Sequence, residues 1–333
     1  MVPESGNLLL AGRTGNGKSS TGNSILGDEI FTAVSSGGAE ENNSPQKNSN
    51  GIFTVVDGTG IGDTGDDSIG GTTAALASTN LAFKLCDCVI TALIFVLKFG
   101  VRFTKQEKDA VQRIKSLLGE NIFKTHGVIV MTYGDNFNRS GDSLSFDSWC
   151  KQQSGDFKDL LIECNFRCVL FNNRSKDRTV QEEQRRHLLP CIGQLRTPYT
   201  LEDYQKASVR REEIDAKLKA FKQRSRQIDD NLTNRSYTSE REYIGALNDL
   251  RAHLHYLEVL DNYTGLMQDS IDSVKNLIAI LENELLAMVA NRRTKKISWK
   301  LIGILILVGA TATFKYFDFN PLDILFSILR YAF

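Results

Sequence analysis

The sequence predicts an α/β fold: a mostly parallel sheet with helices on both faces. An α-helical, coiled-coil extension and a hydrophobic C-terminal helix follow. Three observations carry this expectation. Up to about residue 200, short apolar runs alternate with helical patterns, as in sheets covered on both sides. A glycine-rich turn closes the first of those runs. Beyond Pro198 no proline occurs until Pro321, and the chain between is charged and helix-favouring. A length of 333 residues accommodates about two domains, and 41% hydrophobic residues allow a sizeable core. The expected division is 5–199 for the sheet domain, 200–296 for the helical extension and 297–333 for the hydrophobic end.

The first run, 6–11, reads as a short buried strand. Gly12-Arg13-Thr14-Gly15-Asn16-Gly17-Lys18-Ser19 then fits G-x-x-x-x-G-K-[ST], the phosphate-binding loop. Gly12, Gly15 and Gly17 tolerate backbone angles that a Cβ resists. Successive N–H groups can therefore turn inward as an anion nest. A helix from about Ser19 and Ser20 adds the positive end of its dipole. Lys18 supplies charge for the β- and γ-phosphates, and the Ser19 hydroxyl is a Mg²⁺ ligand.

Runs at 53–56, 89–96, 127–131 and 167–171 follow, rich in Val, Ile, Leu and Phe, and read as buried parallel strands. Helical patterns at 104–118 and 179–189 lie between them. Cys86 and Cys88 read as neighbours on one face of a strand-like stretch. With no C-x-x-C pair among six cysteines, all are expected reduced and mostly buried, in a cytosolic domain. The N-x-[ST] sequences are then not glycosylation sites. Forty basic residues balance forty acidic ones, so no global field favours nucleic acid.

Past residue 200, 203–232 reads as one helix and 231–239 as a polar turn. An apolar seam then follows at alternating spacings of 3 and 4: Leu257, Leu260, Thr264, Met267, Ile271, Val274, Ile278, Leu281, Leu285 and Met288. Such a stripe needs cover, from a second helix of the chain, from the sheet domain or from a partner chain. Residues 301–314 carry no charge and span about 21 Å as a helix. Extension to 297–317 matches the roughly 30 Å hydrocarbon core, with Lys300 and Lys315 at the ends and Trp299, Tyr316 and Phe317 suited to the interfaces. Arg292, Arg293, Lys295 and Lys296 put the preceding side on the cytoplasm, so membrane lipid is an expected partner. The alternative is a hydrophobic helix buried within an assembly.

The later motifs bear on which nucleotide is held. Val55-Val56-Asp57-Gly58-Thr59-Gly60 places an acid at a strand end, where NTPases keep a carboxylate near Mg²⁺. Asp135, in Thr132-Tyr133-Gly134-Asp135, can accept from the N1–H and exocyclic amine of guanine, a donor pair that adenine lacks. Asn172, in Phe171-Asn172-Asn173, ends the next strand and is expected to approach the same base.

At these residues the sequence resembles the immunity-associated GTPases, the GIMAP family. The resemblance rests on "GRTGNGKSSTGNSILG", on the box "FVLKFGVRFTKQEKDAV" at 95–111, on "GVIVMTYGD" and on "FNNRSKD", and covers about residues 6–200. It implies a Ras-like P-loop GTPase domain with extra elements and GTP/GDP binding. It also implies homo-oligomers formed through the nucleotide face, and C-terminal coiled coils or membrane segments. An immune or stress role follows from the resemblance alone.

Two departures bear on turnover. Glu41 falls near the place of the family's first-switch threonine, within a run rich in Gly, Ser and Asn that is expected to be mobile; Ser35, Ser36 and Ser44 are the candidate substitutes. Thr59 replaces the proline of D-x-P-G, although Asp57 and Gly60 remain, and the Gly60 N–H can still reach a γ-phosphate. No glutamine follows, so intrinsic GTP hydrolysis is expected to be slow. Arg102, in the distinctive box, is the candidate catalytic arginine finger on a facing protomer. Its plain alternative is a solvated arginine, or one paired with Glu107. His126 reads as a structural turn residue. The leading expectation is a nucleotide-dependent switch or oligomerising scaffold on the cytoplasmic face of an intracellular membrane. The competing ones are a nearly inactive nucleotide-binding coiled-coil adaptor and an ATP-using P-loop enzyme.

Overall fold

The computed structural model describes residues 5–31, 44–58, 69–139, 144–261 and 268–291. The chain divides into two compact units: of the described residues, those up to Ala220 with Asp261 form the first, and 221–260 with 268–291 the second.

The first unit is built on a six-stranded sheet of order β2-β3-β1-β4-β5-β6. Its strands are β1 (Gly6–Ala11), β2 (Gln46–Ser49), β3 (Phe53–Asp57), β4 (Ala92–Lys98), β5 (Gly127–Thr132) and β6 (Cys168–Leu170). All neighbours run parallel except β2, which pairs antiparallel with β3 at the edge. The expected parallel sheet is thus present, and β2 is an addition. It lies within the stretch read as mobile, where "QKNS" carries no apolar signal. The Asn50 side chain closes the β2–β3 turn, its Oδ1 accepting from the N–H groups of Ile52 and Phe53.

Strand alternation makes two cores. Leu9, Leu93, Phe95 and Ile129 face one side, under α2 (Ile69–Leu85), α3 (Lys105–Leu118), α4 (Ile122–His126), α6 (Phe146–Gln152) and α7 (Gly155–Glu163). Leu8, Leu10, Ile94, Val128 and Val130 face the other, under α1 (Lys18–Leu26) and α8 (Arg178–Gly193). A short α5 (Gly134–Arg139) follows β5. Burial on both faces explains why the strands read as continuous apolar runs rather than alternating ones.

One strand expectation needs correction. Residues 89–91 precede β4, and Cys86 and Cys88 are not on a strand. Cys86 follows α2, and Asp87 and Cys88 take left-handed backbone at φ 54° and 60°. The β-branched run 89–91 misled: Ile90 instead forms an isolated bridge with Tyr199. All six cysteines are free thiols, and Cys86, Cys150, Cys164 and Cys168 are buried. Burial pushes the Cys86 and Cys164 thiols up to about 12, so they are poor nucleophiles. His126 is a structural residue: its Nε2 lies 2.9 Å from the Thr197 carbonyl and its ring meets Tyr199 edge-on.

The helix α9 (Leu201–Thr233) begins in the first unit and ends in the second. The second unit holds the last part of α9 with α10 (Glu240–Asp261) and α11 (Gln268–Asn291). Arg224 of α9 pairs with Asp249 of α10, and Phe221 stacks on His253 at 4.8 Å. Arg251 pairs with Glu282 of α11, and Glu258 with Lys275. Successive helices are therefore antiparallel. The seam residues Leu257, Ile271, Val274, Leu281 and Leu285 are buried, so helices of the same chain cover it. The seam belongs to two helices, and its members Thr264 and Met267 lie outside the described residues. Among the described residues no helix is long and apolar enough to cross a membrane. The expected anchor, 297–333, lies outside them.

Candidate nucleotide-binding site

The glycine-rich loop lies at the carboxyl end of the central strand β1, where open parallel sheets bind ligands. Gly12, Gly15 and Gly17 all have positive φ, at 132°, 84° and 91°. At Gly12 a Cβ would lie 2.6 Å from the Val96 carbonyl oxygen, so glycine is required by contact as well as by angle. At Gly15 nothing lies within 4 Å, and only the angle is restrictive. Gly17 forms the left-handed N-cap of α1, without a side-chain cap. No side chain caps the first N–H groups of α1 at this end.

Three neighbours hold the loop. Asn16 Nδ2 donates to the Val96 carbonyl at 3.1 Å. Thr132 Oγ1, at the end of β5, donates to the Asn16 carbonyl at 2.9 Å. Arg13 Nη1 donates to Glu107 Oε1 of α3 at 2.8 Å. The buried Lys18 ammonium donates to the Gly12 carbonyl at 2.7 Å, bridging the loop from its end to its start. Thr14 is exposed, and Ser20 lies half-buried in the first turn of α1.

Ser19 Oγ donates to Asp57 Oδ2 at 2.6 Å, so the two residues expected to hold the metal meet. Asp57 is 3% exposed, and its Oδ1 is buried with no hydrogen-bond partner. Burial pushes the Asp57 carboxyl above the usual range; the Ser19 bond and the Lys18 charge offset this only in part. A hydroxyl and a carboxylate with one unsatisfied buried oxygen form a hard oxygen donor set, which fits Mg²⁺. Gly60 lies outside the described residues, as do Ser35, Ser36, Glu41 and Thr59, while Ser44 is exposed ahead of β2.

At the far side of the loop, Tyr133 has φ 60° and carries the chain from β5 into α5, which holds the half-buried Asp135 in its first turn. The Tyr133 ring lies 4.5 Å from the Lys98 ammonium and 5.2 Å from the Arg174 guanidinium. Asn172 is folded into its own turn: its N–H donates to Gln184 Oε1, and its Oδ1 accepts from the Arg174 N–H at 3.1 Å. Its neighbour Asn173 makes the link to α1, through Thr21 Oγ1 at 3.0 Å and Ser24 Oγ at 2.9 Å. The sequence names Asn173 only together with Asn172, and Glu107 only as a partner for Arg102; the links of Asn173 to α1, of Glu107 to Arg13 and of the Tyr133 ring to Lys98 and Arg174 carry no signal in it.

Arg102 is exposed in the loop between β4 and α3. The Glu107 carboxylate is instead paired with Arg13 through Oε1, while its Oε2 accepts from the Thr104 N–H.

The AIG1 family profile matches residues 6–224. The chain belongs to the AIG1 family. The AIG1 match covers the sheet, the loop and most of α9, and it is the immune-associated GTPase family whose motifs the sequence displays. Among relatives from Arabidopsis thaliana, Immune-associated nucleotide-binding protein 12 is 37% identical over 50% of this chain and 42% of its own length. Immune-associated nucleotide-binding protein 5 is 32% identical over 56% of this chain and 59% of its own. The chain thus spans about half the length of these AIG1 relatives. A crystal structure of Toc33 from Arabidopsis thaliana, a dimerization-deficient mutant, is 18% identical over 60% of this chain and 88% of that one, with a TM-score of 0.43.

Proposed function

We propose that this AIG1 protein binds GTP and GDP with Mg²⁺ and acts as a membrane-anchored, nucleotide-dependent switch or oligomerising scaffold with slow hydrolysis. The single observation that carries the reading is the Ser19–Asp57 pair, with its buried, unsatisfied oxygen, at the start of α1. The motif match and the family membership support it, as do the names of the Arabidopsis relatives, which describe those proteins as nucleotide-binding and immune-associated.

Each residue has a defined task in this reading. The N–H groups of 12–19 and Lys18 grip the phosphates. Ser19 and Asp57 hold Mg²⁺, which neutralises charge between the β- and γ-phosphates. Asp135 accepts from the base edge and selects guanine, while Asn172 and Asn173 close the neighbouring side. Gly60 senses the third phosphate, and Arg102 of a facing copy stabilises charge during transfer. The helical unit adds a second surface for self-association. Residues 297–333 hold the chain at the cytoplasmic face of an intracellular membrane, in an immune or stress response.

The test is retention of labelled nucleotide with magnesium. Wild-type protein retains GDP and GTP; Lys18→Ala loses both and loses nucleotide-dependent dimers. Asp135→Asn weakens GTP by about 2–3 kcal/mol, the scale of a lost charge-assisted bond. No retention by the wild type ends the proposal, and preference for ATP with indifference to Asp135→Asn transfers the site to adenine. The altered first switch favours one second reading, a structural adaptor. Turnover equal to that of buffer at high protein concentration selects it.

A further inference from the structure

We infer that Arg13 is a positioning residue: through Glu107 it couples the phosphate loop to the start of α3, and so sets the place of the Arg102 segment. This rests on the nucleotide-binding reading above.

The Arg13 side chain leaves the loop and meets Glu107 Oε1 at 2.8 Å. Glu107 is 7% exposed, and its second oxygen, Oε2, accepts from the Thr104 N–H at 3.0 Å and from the Thr104 hydroxyl. One carboxylate therefore holds the N-terminus of α3 with one oxygen and the phosphate loop with the other. A capping box needs only an acceptor at this position, which Gln supplies as well as Glu. The negative charge and the second oxygen are surplus to capping, and Arg13 takes both. Burial raises the Glu107 carboxyl, but the Thr104 and Arg13 bonds outweigh that and hold it below the usual range. The carboxylate end of the pair is buried and the Arg13 side chain 30% exposed, so the link is less screened than one between two surface side chains.

The segment it controls is short. Phe99 is fixed by Phe137 and Trp149, at 5.4 and 5.1 Å. Phe103 lies against Phe157 at 5.6 Å. Between them, Gly100 takes φ 83°, Val101 is 54% exposed and Arg102 is exposed. Thr104 is two residues past Arg102, so a shift of the loop carried by Arg13 and Glu107 reaches the arginine across two peptide units.

The experiment is hydrogen exchange on the full chain, with and without GDP or a non-hydrolysable GTP analogue and Mg²⁺. It follows peptides over 12–19 and over 99–106, in wild type and in Glu107→Gln. Gln keeps an acceptor for Thr104 and removes the charge facing Arg13. In wild type, nucleotide slows exchange in both regions, at 99–106 by at least about fivefold, the low end of ordinary two-site coupling. In Glu107→Gln the 12–19 region is still protected and the response at 99–106 is lost. An undiminished response at 99–106 in the variant overturns the inference. So does loss of protection at both regions, which makes the pair a support of the loop itself. No protection at 12–19 in the wild type overturns the nucleotide reading, and this inference with it.

Discussion

At the residue scale, two glycines of the loop show different kinds of necessity. Gly12 needs both its angle and its missing Cβ, because the Val96 carbonyl occupies that place; Gly15 needs only its angle. Gly12→Ala is expected to cost more than the roughly 1–3 kcal/mol of a strained backbone alone, because the loop must also move off β4. Gly15→Ala should stay within that range. Denaturant midpoints of the two variants check the order, and equal losses would show that the Val96 contact is not limiting. This part of the site was legible because the motif fixes residue types at fixed spacing. The identity of each side chain's partner was not. Which residue Glu107 binds depends on bringing 13 and 107 together, 94 positions apart, and only the completed sheet does that. Which of Asn172 and Asn173 links to α1 rests on how one turn closes, a difference that two identical residues cannot signal.

At the element scale, apolar runs located five of the six strands to within a few residues, because strands buried on both faces must be apolar throughout. They failed where tertiary contacts override local preference. Residues 89–91 have the composition of a strand but serve a turn and a bridge to Tyr199. The polar strand β2 has the composition of a loop but borrows its stability from β3. Among the helices, α10 carries a titratable group at its buried face. His253 stacks on Phe221, accepts or donates to Ser225 Oγ at 2.8 Å and is 7% exposed. Burial holds its imidazole below the usual value near 6.5. The unfolded chain then binds more protons, so the stability that His253 contributes is full above about pH 6.5 and falls as the pH is lowered through that value. His126 shifts in the same direction in the other unit. Thermal melts followed by helical signal should drop between about pH 7.5 and 5, and His253→Phe should flatten the part of that drop due to the second unit. A drop unchanged in this variant would assign it to His126 or to other groups.

At the scale of the whole molecule, the chain joins a unit carrying the P-loop to a helical one, and the proposed anchor comes after both. The anchor was read from charge-free length and from the basic run before it, which are properties of sequence alone. Full-length protein is expected to float with anionic vesicles, and residues 1–296 to remain in the soluble fraction. Co-flotation of both would remove 297–333 as the attachment. The proposed switch and the proposed anchor are separable, since Lys18→Ala should leave flotation unchanged.

The antiparallel sequence of α9, α10 and α11 has a mechanical meaning. The first and third helices run the same way, so α11 ends at Asn291 on the side where α9 also finishes. Tension between Asn291 and Phe221 is borne lengthwise. Arg251–Glu282 and the Leu281 and Leu285 packing are then sheared together instead of unzipping one by one, which makes this small bundle a stiff coupling along its axis and a soft one across it.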